Sequence, residues 1–162
     1  MARKITLYGI FAATALIFGY IESLFSLSFI APGIKLGLAN SLCLILIGFG
    51  DTKGAFCVNT VRILLSSLLF SSPFTLFFSL TAGIASTAAC AGVSRLKGVS
   101  QVGMGVAGAA VHNTVQLCVA ALIFGRSVWY YLPVLLVSAV ITGGAVGEIS
   151  ECIFKKIKTK VK

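Results

Sequence analysis

The chain has 162 residues, of which 58% are hydrophobic and 10% charged, with a formal net charge of +9. This composition excludes a soluble globular domain and is typical of an all-α integral membrane protein, because hydrocarbon cannot hydrogen-bond to a backbone that is not helical or in a closed barrel. The basic residues lie at the ends of apolar segments and form no patch interleaved with exposed aromatic rings, so the charge does not indicate nucleic-acid binding.

The hydropathy pattern predicts a single domain, residues 1–162, without internal repeats. Its basic start resembles a signal peptide, but the long apolar run lacks a convincing cleavage site, so we interpret it as a first transmembrane helix. The second segment is short and follows "IAPGIKLGLAN", a linker that we expect to fold partly back into the bundle because Pro32 and Gly33 break a helix. The six predicted transmembrane helices are Ile5–Phe29, Leu36–Gly50, Gly54–Phe70, Phe74–Val93, Val99–Phe124 and Tyr131–Phe154.

The distribution of lysine and arginine predicts a multi-pass protein of the cell membrane with both termini in the cytoplasm. The basic tail, "KKIKTKVK" at 155–162, is expected to meet anionic lipid headgroups, and a partner-docking role is the alternative. The aromatic run "WYYLP" at 129–133 is typical of the opposite membrane interface, and Pro133 suits the first turn of the last helix.

Polar side chains gather toward the outer half of the predicted bundle. Arg62 lies about halfway along the third segment, and His112 and Gln116 share one face of the fifth because they are four residues apart. An ionisable group at membrane depth costs at least a few kcal/mol, so each such group needs a partner or a water-filled cavity. The candidate substrate-binding residues are Glu22, Lys35, Asn40, Asn59, Arg62, His112, Asn113 and Gln116.

The alternative is that these groups only satisfy one another between helices, for instance Glu22 with Arg62 and His112 with Asn113. Eight polar residues on one side of a small bundle exceed what helix packing requires, so we favour a cavity that is open to the outside. With Lys35 and Arg62 it would be positive, and it would suit a solute with an anionic or hydrogen-bonding part and an apolar body.

Catalysis and metal binding find little support in the residue pattern. The five cysteines are scattered singly through apolar stretches, and there is neither an Asp-rich diphosphate motif nor a phosphate-binding glycine loop. We therefore predict no enzyme activity, no metal and no cofactor for this chain. Transport would draw its energy from an ion gradient or from partner subunits.

Small residues on the first helix could let another helix approach closely. They form two pairs at a spacing of four, Gly9 with Ala13 and Ala15 with Gly19. Packing inside the bundle and docking to a separate membrane subunit are both open interpretations of these pairs.

The strings "PGIKLGLAN" (32–40) and "HNTVQL" (112–117), with Glu22 and Arg62, resemble the Gx transporter family, which also carries the name heptaprenyl diphosphate synthase component I. The predicted helices also resemble the substrate-binding S components of energy-coupling factor (ECF) vitamin transporters. This resemblance implies a subunit that captures a vitamin or cofactor-related solute, with a flavin as the leading candidate. It also implies a transmembrane coupling subunit and two ATPase subunits as partners, with Gly9, Ala13, Ala15 and Gly19 as the docking positions.

The family's second name implies a different role, a membrane accessory of the synthase that makes the isoprenoid tail of menaquinone. Genes for ECF ATPases or for a lone coupling subunit in the same genome would favour transport. A strict pairing with a soluble prenyl synthase gene would favour the accessory role.

Overall fold

A computed structural model describes residues 2–24, 37–70 and 72–161. These ranges contain α-helices, one 3-10 helix and no strand, which confirms the all-helical prediction for the part described. The 3-10 helix is Arg126–Tyr131, and the six α-helices are α1 Ala2–Leu24, α2 Asn40–Gly48, α3 Thr52–Phe70, α4 Pro73–Val93, α5 Gln101–Phe124 and α6 Leu132–Val161.

Local sequence explains where several helices begin. The hydroxyl of Ser72 accepts a hydrogen bond from the Thr75 N–H at 3.3 Å, and Pro73 occupies the first turn of α4, where its missing N–H costs nothing. Ser100 caps α5 in the same way by accepting from the Gly103 N–H at 3.2 Å. Gly125 follows α5 at a φ of 85°, a left-handed conformation that favours glycine.

Five helices are long and apolar enough to cross a membrane: α1, α3, α4, α5 and α6. Helix α2 has nine residues and is about 13 Å long, so it cannot cross a hydrocarbon core of about 30 Å by itself. A sixth span and cytoplasmic termini therefore remain predictions. Residues 30–36 of the proposed linker, which include Pro32, Gly33 and Lys35, lie outside the described residues.

The contacts define two ends of the bundle. At the terminal end, where α1 begins, the Tyr8 hydroxyl donates to the Asp51 carboxylate, and the rings of Phe49 and Phe154 lie 4.7 Å apart. At the opposite end, which we name the Glu22 end, Tyr20 packs on Phe70 with ring centroids 5.2 Å apart. Helices α1 and α3 thus run in the same direction, and the short α2 runs back between them.

Helix α2 occupies the core although it is short. All residues from Ser41 to Ile47 are buried, and the Ser150 hydroxyl of α6 donates to the Ser41 carbonyl at 3.2 Å. Helix α6 continues through the predicted tail, where Ile157 packs against the core and Lys158 is exposed. The tail is therefore an amphipathic continuation of the last helix.

Helices α5 and α6 meet along a packed seam of three glycines, Gly105, Gly143 and Gly147. A Cβ on Gly105 would lie 2.4 Å from the Gly143 carbonyl oxygen, and one on Gly147 would lie 2.5 Å from the Val102 Cα. The two backbones approach this closely only because none of the three residues has a side chain.

Candidate solute cavity

A cavity of about 120 Å³ lies inside the bundle and is lined by all six helices. This volume corresponds to about ten water molecules. It extends from Glu22 and Gly37 toward Cys90, Gly105 and Val146 nearer the terminal end. Its walls combine aliphatic side chains, such as Leu44, with many polar groups, which is the mixture expected where a small molecule binds.

Arg62 is the positive charge of the cavity. Its Nη2 group donates to the side-chain oxygen of Asn40 at 3.1 Å and to that of Asn59 at 2.8 Å. Its Nε group is buried and makes no hydrogen bond among the described residues. The guanidinium is therefore held in one orientation, and the described residues use only part of its donor capacity.

Asn59 does not line the cavity but holds Arg62 in place. Its amide nitrogen donates to the Gly83 carbonyl at 3.0 Å and to the Thr87 hydroxyl at 2.8 Å, both on α4. These two bonds fix the amide so that its oxygen faces Arg62. We define Asn40, Asn59, Arg62, Gly83 and Thr87 as the Arg62 cluster.

Gly83 makes room for this arrangement. A Cβ at this position would lie 2.3 Å from the Ile63 Cδ1 and 3.3 Å from the Asn59 Nδ2. A larger residue would push both α3 side chains away from α4. The glycine in "LTAGIAST" thus has a steric role that the sequence pattern did not reveal.

Glu22 lines the cavity at the far end of α1. Its carboxylate accepts the Gly37 N–H at 2.6 Å, which joins the end of α1 to the residues that precede α2. No ion pair joins Glu22 to Arg62 within the described ranges. The direct Glu22–Arg62 pairing that we considered as an interhelical contact is therefore not what holds either side chain.

His112 and Asn113 of α5 also line the cavity. Asn113 donates to the Leu135 carbonyl of α6 at 2.9 Å, so its amide bridges two helices as well as facing the cavity. Gln116 is half-buried and lies outside the lining. Of the eight predicted residues, five line the cavity. Asn59 lies behind the lining, Gln116 lies away from it, and Lys35 is outside the described residues.

Several lining groups escaped the sequence analysis. The cavity is also bordered by hydroxyls of α3 and α4 and by two buried thiols; these residues are Ser67, Ser79, Ser86, Thr87, Cys43 and Cys90. Ser66, four residues after Arg62 and on the same face of α3, lines the cavity as well. Ser79, Ser86 and Cys90 recur at spacings of seven and four, a helical periodicity that could have identified one face of α4. No group of three or more potential metal ligands occurs in the described part of the chain.

The four predicted docking residues of α1 have different surroundings. Gly9 and Ala13 are exposed, and nothing lies within 4 Å of a Cβ built on Gly9 or on Gly19. Ala15 is fully buried against the core that contains Ala39 and Ile45. The first pair thus faces away from the bundle, whereas Ala15 serves internal packing.

The comparisons with known proteins give one match. The family model described as heptaprenyl diphosphate synthase component I matches residues 11–153. That range contains every residue that lines the cavity. No curated protein and no solved structure matches the chain.

Proposed function

The chain belongs to the heptaprenyl diphosphate synthase component I family, and we propose that it is a substrate-binding membrane subunit for uptake of a small vitamin or cofactor-related solute. The observation that carries this proposal is the cavity of about 120 Å³ inside the bundle, into which Glu22, Arg62 and His112 face. Burying a polar side chain at membrane depth costs free energy, so each such side chain needs a hydrogen-bonding partner. A polar side chain that only holds two helices together would be packed against its partner, with no cavity beside it. Polar groups around empty volume are what solute binding requires.

The lining defines the kind of solute. Leu44, Ile47 and Ile63 provide an apolar wall, and Arg62 provides donors for an acidic or acceptor group. A flavin is the candidate from the family resemblance. Since the cavity holds about ten water molecules, a flavin would have to widen it or extend past Glu22.

In this proposal the solute enters at the Glu22 end from outside the cell and is released toward the terminal end. Asn40, His112 and Asn113 orient the solute by hydrogen bonds, with Lys35 as a further attraction for negative charge. A transmembrane coupling subunit docks on the outer face of α1 at Gly9, Ala13 and Gly19, and two ATPase subunits supply the energy. Anionic lipid contacts the basic continuation of α6.

Thermal stabilisation of the detergent-purified protein tests the proposal. The panel contains flavins, thiamin precursors, other vitamins and isoprenyl diphosphates. We expect at least one vitamin or cofactor-related solute to raise the melting temperature of the wild type, because binding to the native state alone stabilises it. Ser66→Phe would fill part of the cavity and should abolish the shift.

Two variants serve as matched controls. Leu65→Phe adds bulk at the neighbouring exposed position of α3, and Gln116→Ala truncates a polar side chain outside the lining. Both should keep the shift of the wild type. Equal shifts for Ser66→Phe and Leu65→Phe would contradict binding in this cavity.

The accessory role in prenyl diphosphate synthesis is the second candidate, and the description of the matching family favours it. It predicts that a soluble prenyl synthase co-purifies with the chain in mild detergent and that Ser66→Phe leaves this association intact. The transport role predicts a coupling subunit and ATPases in the same preparation. Co-purification of the synthase, without a response to any vitamin, would overturn the transport proposal.

A further inference from the structure

Two opposite charges line the same cavity, and in the described residues no salt bridge joins them directly. Arg62 is bound by the amide oxygens of Asn40 and Asn59, and Glu22 accepts the backbone N–H of Gly37. In residues 2–24, 37–70 and 72–161, the ion pair present joins Lys155 to Glu151, far from the cavity. Among the described residues, the groups that orient both cavity charges by hydrogen bonds are neutral.

Neutral hydrogen-bond partners fix a charged group but do not cancel its charge. At membrane depth an uncancelled charge costs several kcal/mol, and an opposite charge at hydrogen-bond distance recovers more of this cost than a neutral group does. A solute with one charge would neutralise either Glu22 or Arg62 and leave the other. A solute with both charges would neutralise the two together.

The hydrogen-bond donors of Arg62 limit which acidic group of a solute can bind there. Both hydrogens of Nη2 are used by Asn40 and Asn59, and each two-pronged edge of a guanidinium includes Nη2. A carboxylate or phosphate could make two parallel hydrogen bonds to Arg62 only by displacing an asparagine. The geometry therefore favours a small acidic group that accepts one hydrogen bond from Arg62. It disfavours a diphosphate, which needs several.

On the basis of the proposed function, we infer that the cavity binds a small zwitterionic solute. Its acidic group lies at Arg62, its basic group lies at Glu22, and its apolar body packs on Leu44, Ile47 and Ile63. The cavity, which has room for about ten water molecules, suits a molecule the size of an aromatic amino acid better than a larger cofactor.

A charge-matched series of probes tests this inference by equilibrium binding to the purified protein. Phenylalanine, phenethylamine and hydrocinnamate share one ring but carry both charges, the positive charge or the negative charge, and tryptophan, tryptamine and indolepropionate repeat the series on a larger body. We expect the wild type to bind a zwitterion about tenfold more tightly than either singly charged relative, a difference of about 1.4 kcal/mol.

Neutral variants of the two charged residues should change this preference in opposite ways. Glu22→Gln should lose the preference for the zwitterion over the acid, and Arg62→Gln should lose the preference over the amine. If Arg62→Gln does not fold, Arg62→Lys retains the charge and should retain the preference over the amine. Glu148→Gln and Arg126→Gln change exposed charges outside the cavity and should bind like the wild type.

The binding experiments distinguish failure of this inference from failure of the proposed function. An acid that binds as tightly as the zwitterion, with no effect of Glu22→Gln, would overturn the inference and leave solute binding intact. The inference is also overturned, and solute binding still stands, if none of the six probes binds while a vitamin raises the melting temperature. If neither the probes nor the vitamins bind, the proposed function fails as well.

Discussion

The α5–α6 seam and the Arg62 cluster differ in how their helices meet. At the seam, three glycines bring two backbones together and leave no space between them. At the Arg62 cluster, side chains from three helices form a hydrogen-bonded frame beside a cavity. The two regions differ in what they contribute: close backbone packing at the seam stabilises the bundle, and the hydrogen-bonded frame of the Arg62 cluster orients the charge of the cavity, which Gly105 and Gly143 also border.

The largest effect is expected when a single methyl group enters the seam. Gly143→Ala would place a Cβ 2.6 Å from the Gly105 carbonyl oxygen, and backbone atoms cannot move aside as a flexible side chain can. We expect the free energy of unfolding to fall by about 2–3 kcal/mol, measured by SDS titration in mixed micelles.

The neighbouring glycine provides the control. Nothing lies within 4 Å of a Cβ on Gly144, so Gly144→Ala should be neutral or stabilise the helix by about 0.5 kcal/mol. Similar losses for both variants would mean that close backbone packing is not what stabilises the seam.

A smaller loss of stability but a larger loss of binding is expected at the Arg62 cluster. Asn59→Ala removes two donated bonds and one accepted bond from a buried position, which should cost about 1–2 kcal/mol of stability. Because Arg62 then loses one of its two oriented partners, solute affinity should fall by about tenfold or more. Thr60→Ala, one residue along α3, is the control for both measurements.

The helices could be predicted from the sequence, but the direction of individual side chains could not. Apolar length gave the bounds of α3 to α5 within two residues, because hydrocarbon imposes helical structure on any long apolar run. It gave the start of α6 within one residue but missed its end by seven, because the helix continues through the basic tail. The polar stripes were less informative. His112 and Gln116 share a face of α5, yet of these two only His112 lines the cavity. The face of α5 extends beyond the part that borders the cavity.

Neighbouring helices decide the remaining details. Asn59 and Arg62 belong to one stripe of α3, but Asn59 turns to α4 because Gly83 leaves room for its amide. The Glu22 contact with Gly37 depends on a backbone N–H, which no residue pattern reports. Such contacts depend on the rotation of each helix, and the amphipathic signal of a membrane helix is too weak to fix that rotation.

A modest, pH-dependent effect is expected at the terminal end, away from both regions. The Tyr8 hydroxyl and the Gly54 N–H donate to Asp51 and hold the pKa of this carboxyl below its ordinary value. This contribution to stability is fully present above the unfolded-state pKa and is lost as the pH falls through the lower folded-state pKa. Tyr8→Phe should lower the melting temperature slightly at neutral pH, because the carboxylate loses one of its two donors.

The pH series provides the decisive comparison for Tyr8→Phe. The difference in melting temperature from the wild type should shrink as the buffer is taken from neutral to strongly acidic pH. Tyr130→Phe, at a position that is 87% exposed, should match the wild type throughout. A difference that stays constant with pH would assign the effect to packing of the ring and not to the bond with Asp51.

The smallest effect on the fold is expected on the outer face of α1, which neither the seam nor the cluster uses. Ala13 is exposed, so Ala13→Leu should change the free energy of unfolding by no more than about 0.5 kcal/mol. If a coupling subunit docks on this face, the added bulk should keep the two helices apart and sharply reduce the coupling subunit that co-purifies with the chain. Ala88→Leu adds the same bulk at an exposed position of α4 and should leave the complex intact. Equal recovery of the coupling subunit with both variants would exclude the outer face of α1 as its docking surface, and Ala15 would then retain only its role in the core.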